Sequence, residues 1–143
     1  EPLFHYWAHP KIFPESREAL SKCDLPICLV SNIDNAELES ALSHIALSFD
    51  RIVTSEDCRA YKPRPEIFKT ALSILGRPPH QVLHVGDSYV SDVKVAKSLG
   101  MPALWMNRMG RDRPLQDEGP DYETPDLTGL PRILCLPIQD RKK

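Results

Sequence analysis

The sequence predicts an α/β protein built on a doubly wound, three-layer parallel sheet. Apolar runs of strand length alternate with helical patterns in the order β-α-β-α-β-α-β, joined by short links. The strand runs are nearly continuous in apolar residues, as strands covered on both faces require. The chain has 143 residues, the size of one ordinary domain. A domain of that size buries roughly 70% of the surface its unfolded chain exposes, so its core needs no covalent staples.

A leading helix is expected within residues 10–23, with Pro14, Ala19 and Leu20. Residues 26–31 (PICLVS) form the first strand. Asp34 and Glu37 are spaced as a capping box, and Leu38, Ala41, Leu42 and Ile45 continue as the apolar stripe of a helix. Arg51–Thr54 is the second strand. Pro65 suits a first helical position; Ile67, Phe68, Ala71, Leu72 and Leu75 then share one face, and Gly76 stops the helix. Residues 81–85 (QVLHV) read as the third strand, with a loop at Gly86. A helix carrying Val93, Val95, Ala96 and Leu99 follows and ends at Gly100. Ala103–Met106 is the fourth strand. Beyond Arg111 the texture changes, because Pro114, Pro120, Pro125, Pro131 and Pro137 punctuate the chain. Irregular loops are expected there, with one short strand near Tyr122 and a short helix around Leu130–Leu134. Residues 141–143 are expected to fray.

Composition narrows the function classes. Hydrophobic residues make up 41% and charged ones 27%, which argues against disorder. The 18 basic and 20 acidic residues leave a net charge of −2, so there is no electrostatic case for nucleic acid as the main partner. No run approaches the roughly 20 apolar residues of a membrane span, and the first residues do not read as a secretory signal. Cys23, Cys28, Cys58 and Cys135 contain no C-x-x-C pair; free thiols are favoured over a disulfide framework, and a cytoplasmic setting is expected. His5, His9, His44, His80 and His84 are scattered and read as surface or satisfied core residues.

In an open parallel sheet, ligands bind at the carboxyl ends of the strands. Ser31-Asn32 follows the first strand, Lys62-Pro63 precedes a helix start, and Gly86-Asp87-Ser88 follows the third strand with Asp92 five residues after Asp87. Each feature has a plain structural reading. Ser31 suits a strand end, Lys62 a solvated surface, Asp87 or Ser88 a helix cap, and Asp92 the positive end of a helix dipole. Taken together and in this order, they could converge on one edge of the sheet. Oxygen ligands of this kind suit Mg²⁺, which takes one or two carboxylates and completes its shell with water and substrate phosphate. A lysine and hydroxyl donors suit the phosphate itself.

This set resembles the haloacid dehalogenase-like hydrolase superfamily, in the branch whose cap domain is inserted between the first and second sequence motifs. Leu29-Val30-Ser31-Asn32 is similar to its second motif. Lys62-Pro63-Arg64-Pro65-Glu66-Ile67-Phe68 is similar to the third, and His84-Val85-Gly86-Asp87-Ser88 through Asp92 to the fourth, G-D-x-x-x-x-D. Residues 96–102 match the family's helix-to-strand transition, and the resemblance covers roughly residues 10–135. It implies a Rossmann-like core. Ser31 would hydrogen-bond the transferring phosphoryl group with Asn32 beside it, and Lys62 would offset its negative charge. Asp87 would coordinate Mg²⁺, with Asp92 binding or orienting that site. The family's dehalogenases work without metal and lack this acidic pattern, so the resemblance implies a phosphatase acting on a small phosphorylated metabolite, or less directly a phosphomutase.

The family's first motif, D-x-D-x-T/V, supplies an aspartyl nucleophile and a second aspartate as general acid/base. No two aspartates of this sequence lie two residues apart, and the nearest imitation, Asp121-Tyr122-Glu123, sits in the Pro-rich region. The core is therefore expected to be incomplete, lacking the central first-motif strand. Residues 1–9 would be the end of a cap or its return linker, 10–135 the C-terminal part of the core, and 136–143 a tail. The missing N-terminal part of the same protein would complete the sheet. The alternative is a non-catalytic, truncated relative that serves as a binding or interaction module.

Overall fold

The computed structural model describes residues 9–135. The expected cap remnant, apart from His9, and the 136–143 tail lie outside the described residues. The chain divides into two compact units, residues 9–62 with 66–75 and residues 63–65 with 76–135.

The first unit opens with α1 (Pro14–Ser21), which has proline at its first position as the sequence predicts. Next come β1 (Cys28–Ser31), α2 (Asn35–Ile45), β2 (Arg51–Thr54), the single turn α3 (Ser55–Cys58) and α4 (Glu66–Leu75). Strands β1 and β2 pair in parallel, Ser31 opposite Thr54. The apolar face of α4 supplies the heart of this unit's core. Ile67 and Phe68 are fully buried, and Val53, Leu38 and Ala41 are buried as well. Full burial of a side chain like Ile67 or Phe68 is worth roughly 1.5–3 kcal/mol. Arg17 of α1 donates to the carbonyls of Ile45 at 2.6 Å and Ala46 at 3.2 Å. It thereby satisfies the C-terminal end of α2, where a cation also complements the helix dipole.

Two local expectations change here. The capping box of Asp34 and Glu37 does not form, because Asp34 makes no side-chain cap bond. Glu56 of α3 reaches across instead and accepts from Asn35 N at 2.7 Å, bringing a carboxylate from another element to the positive end of α2. β1 is also not buried on both faces: all four of its residues are half-buried, since among the described residues it pairs only with β2.

The second unit contains β3 (His84–Gly86), a π-helical turn (Tyr89–Val93), α5 (Lys94–Ser98), β4 (Ala103–Met106), β5 (Tyr122–Thr124) and α6 (Leu130–Leu134). Its sheet is parallel throughout, in the order β3-β4-β5. Leu104 on β4 and Leu130 and Ile133 on α6 form a core against which Leu83, Val85, Tyr122, Leu127 and Leu134 pack. The expected strand over residues 81–85 begins later, because Pro79–Gln81 closes a 3₁₀ turn first. The expected helix begins as a π turn. Ser88 O accepts from both Asp92 N at 2.9 Å and Val93 N at 3.3 Å, which widens the turn by one residue. Gly100, at φ +77, ends α5 in the left-handed region that glycine adopts without a Cβ penalty.

The α/β, all-parallel reading holds in both units. All four cysteines are free thiols, and among the described residues no helix is long and apolar enough to cross a membrane.

Candidate active site

The predicted site residues fall into two groups, one in each unit. In the first, Ser31 is the last residue of β1, and Asn32 and Lys62 are tied together across a sequence separation of 30. Asn32 Nδ2 donates to Lys62 O at 3.1 Å, and Lys62 N donates to Asn32 Oδ1 at 2.7 Å. Both ends of the Asn32 amide are thus spent on the main chain of Lys62. The asparagine braces the lysine's backbone, and the Ser31 hydroxyl is carried on the residue just before the brace. Behind this loop, Thr54 and Ser55 are fully buried. Thr54 Oγ1 donates to Asn35 Oδ1 at 2.7 Å, Asn35 Nδ2 to Asp57 Oδ1 at 2.8 Å, and Ser55 Oγ to Ile33 O at 3.2 Å. The segment after β1 is therefore pinned from β2 and α3.

In the second group, Asp87 is exposed at the carboxyl end of β3, while Asp92 is only 2% exposed. Both Asp92 oxygens are engaged. Ser88 N donates to Oδ2 at 3.1 Å, and His84 Nε2 lies 3.1 Å from Oδ1. Gly86 makes the arrangement possible, because a Cβ at that position would fall on Asp92 Cβ and Cγ. Trp105 on β4 pairs in register with Gly86. Its indole Nε1 donates to Asp87 O at 3.1 Å, and its ring meets Tyr89 edge-on at 5.1 Å.

Among the described residues no cluster of three or more His, Cys, Asp or Glu is arranged to hold a metal ion. The donor set still fits Mg²⁺, which needs only one or two protein carboxylates. Asp87 offers an exposed carboxylate for direct ligation, and Asp92, with both oxygens engaged, is arranged to hold the loop. Sequence reasoning singled out Asp87 and Asp92 but missed His84 and Trp105. The signal for His84 was available: on a strand, residues i and i+2 share a face, so His84 and Gly86 present the surface over which Asp92 folds. The pairing of Trp105 with Gly86 depends on sheet register, which the sequence does not show.

A model of the haloacid dehalogenase-like hydrolases matches residues 1–100, and the chain belongs to that family. It is 37% identical over 140 residues to haloacid dehalogenase-like hydrolase domain-containing protein 3 of Danio rerio, a match covering 92% of this chain and 57% of that relative. It is 28% identical over 119 residues to the (S)-2-haloacid dehalogenase of Pseudomonas sp. (strain YL), covering 82% of this chain and 51% of the dehalogenase. Its fold matches the crystal structure of a HAD phosphatase from Thermococcus onnurineus with a TM-score of 0.81 at 33% identity, over 93% of this chain and 62% of that one. The chain spans about half the length of the curated relatives it matches.

Proposed function

We propose that this chain is the C-terminal part of the core of a Mg²⁺-dependent phosphohydrolase acting on a small phosphorylated metabolite. The observation that supports a phosphatase over a dehalogenase is the exposed Asp87 carboxylate at the end of β3, backed by the buried Asp92. The relatives alone do not choose between the two, since both kinds are among them. Hydrolysis proceeds through an aspartyl-phosphate whose nucleophile and general acid/base lie outside this chain, on a strand that completes the sheet. Such a covalent step divides one difficult displacement into two easier ones. The Ser31 hydroxyl donates to a phosphoryl oxygen. The Lys62 ammonium offsets negative charge on phosphate and nucleophile, its backbone set by Asn32. Asp87 would hold Mg²⁺, and Asp92 orients the turn. When bound, Mg²⁺ supplies positive charge where it develops on the phosphoryl oxygens.

A non-catalytic binding module is the second reading, favoured by the lack of any D-x-D pair in the sequence. Phosphate release from small phosphate esters, measured with and without Mg²⁺, separates the two. The protein in its natural length releases phosphate only with Mg²⁺, and the 143-residue chain alone shows no turnover above background. Metal-independent halide release from 2-haloacids, or no hydrolysis by the natural-length protein, overturns the phosphatase reading.

A further inference from the structure

The metal-binding role proposed for Asp87 makes its direction critical, yet the residue is exposed and lies between a strand and a turn. Two side chains from different elements fix the peptide that joins it to Ser88. The carbonyl of Asp87 and the N–H of Ser88 belong to one planar peptide unit. Trp105 Nε1 holds the carbonyl at 3.1 Å, and Asp92 Oδ2 holds the N–H at 3.1 Å. Neither group has room to drift: Trp105 and Asp92 are each 2% exposed. Trp105 is carried by β4, which is paired to β3 at Gly86, and Asp92 is tied to His84 on β3 itself. With that plane clamped at both ends, the backbone that carries the Asp87 carboxylate has one orientation.

We infer that Trp105 is a positioning residue for Asp87: its indole N–H, acting with Asp92, sets the peptide from which the metal-binding carboxylate projects. This rests on the reading of Asp87 as a metal ligand and extends it to a residue outside the G-D-x-x-x-x-D segment. The chemistry needed from position 105 is one hydrogen-bond donor at the end of a flat apolar body. Phenylalanine keeps most of the body and loses the donor.

The experiment measures Mn²⁺ binding, with Mn²⁺ alone as the stand-in for Mg²⁺, by water-proton relaxation on the natural-length protein. Wild type, D87N and W105F are compared, with thermal unfolding followed in parallel. The second partner of a metal ligand is typically worth 10–100-fold in affinity, so W105F is expected to bind Mn²⁺ about 10-fold more weakly or worse while remaining folded. Should W105F fail to fold, benzothienylalanine at position 105 keeps the shape of indole without its N–H and is expected to show the same loss. A folded donor-free variant with wild-type Mn²⁺ affinity overturns the inference, even if its melting temperature is lowered, because a purely structural tryptophan would produce that pattern. Wild type and D87N binding Mn²⁺ equally, or not at all, removes the metal role of Asp87 and the inference with it. Loss in D87N but not in the Trp105 variants refutes the inference alone.

Discussion

The carboxylate of Asp92 occupies the volume into which a Cβ on Gly86 would project. Asp92 is buried and held by His84 and Ser88, so it has no inexpensive way to withdraw. Gly86→Ala is therefore expected to destabilise the protein by about 1–3 kcal/mol, the range for overpacking a filled site. Urea unfolding of the variant against wild type measures this. A variant of unchanged stability would mean that Asp92 moves aside freely, and the picture of a rigid turn would fail.

Asn32 closes a two-bond ring with the backbone of Lys62. Removing the amide with Asn32→Ala is expected to cost about 1–2 kcal/mol, two ordinary hydrogen bonds at a partly solvated position. Asn32→Asp keeps an acceptor for Lys62 N and loses the donor to Lys62 O, so its unfolding midpoint should fall between those of wild type and Asn32→Ala. Equal midpoints for all three would show that the ring contributes nothing.

Lys97 makes a pH-dependent contribution. Burial disfavours its ammonium, but hydrogen bonds and charge from Asp121, then Glu118, outweigh that and hold its pKa above the ordinary 10.5. Its Nζ lies 3.0 Å from both Asp121 oxygens, and Asp121 in turn accepts from Ala103 N at 2.8 Å on β4. A pKa raised in the folded state means that the folded protein holds this proton more tightly. The stabilisation is fully present below pH 10.5 and is lost as the pH climbs through the higher folded value. Lys97→Met should melt at a lower temperature than wild type at pH 8, and the gap should narrow above pH 10.5. A gap that stays constant to higher pH would show that Lys97 contributes through packing of its stem alone.

How much of this was legible depends on the range of the interaction. Apolar periodicity located α4 through Ile67, Phe68 and Ala71, and β4 and α6 fall on the residues predicted for them. These elements are set by neighbours three or four positions away along a helix, or two along a strand. The capping box did not form, and the carboxylate at that helix end, Glu56, arrives from 21 residues away. The same holds at the site. Asp87 and Asp92 announce themselves by spacing, whereas the roles of Asn32, His84 and Trp105 arise from register and from loops meeting in space. Asn32 in particular was singled out by its place after Ser31, whereas its two bonds to the Lys62 main chain come from a loop 30 positions on.

The π turn at Tyr89–Val93 limits how this segment can change. Each residue of an α-helix rotates the next by about 100°, so a turn held open by one extra residue fixes the bearing of everything after it. Deleting one position between Ser88 and Asp92 would swing Asp92 out of its slot over the glycine and away from His84. Exchanging the exposed Val90 for another side chain would leave the geometry intact. At Val90 a substitution is cheap and a length change is not, so any homologue with a shorter link must hold its first carboxylate by other means.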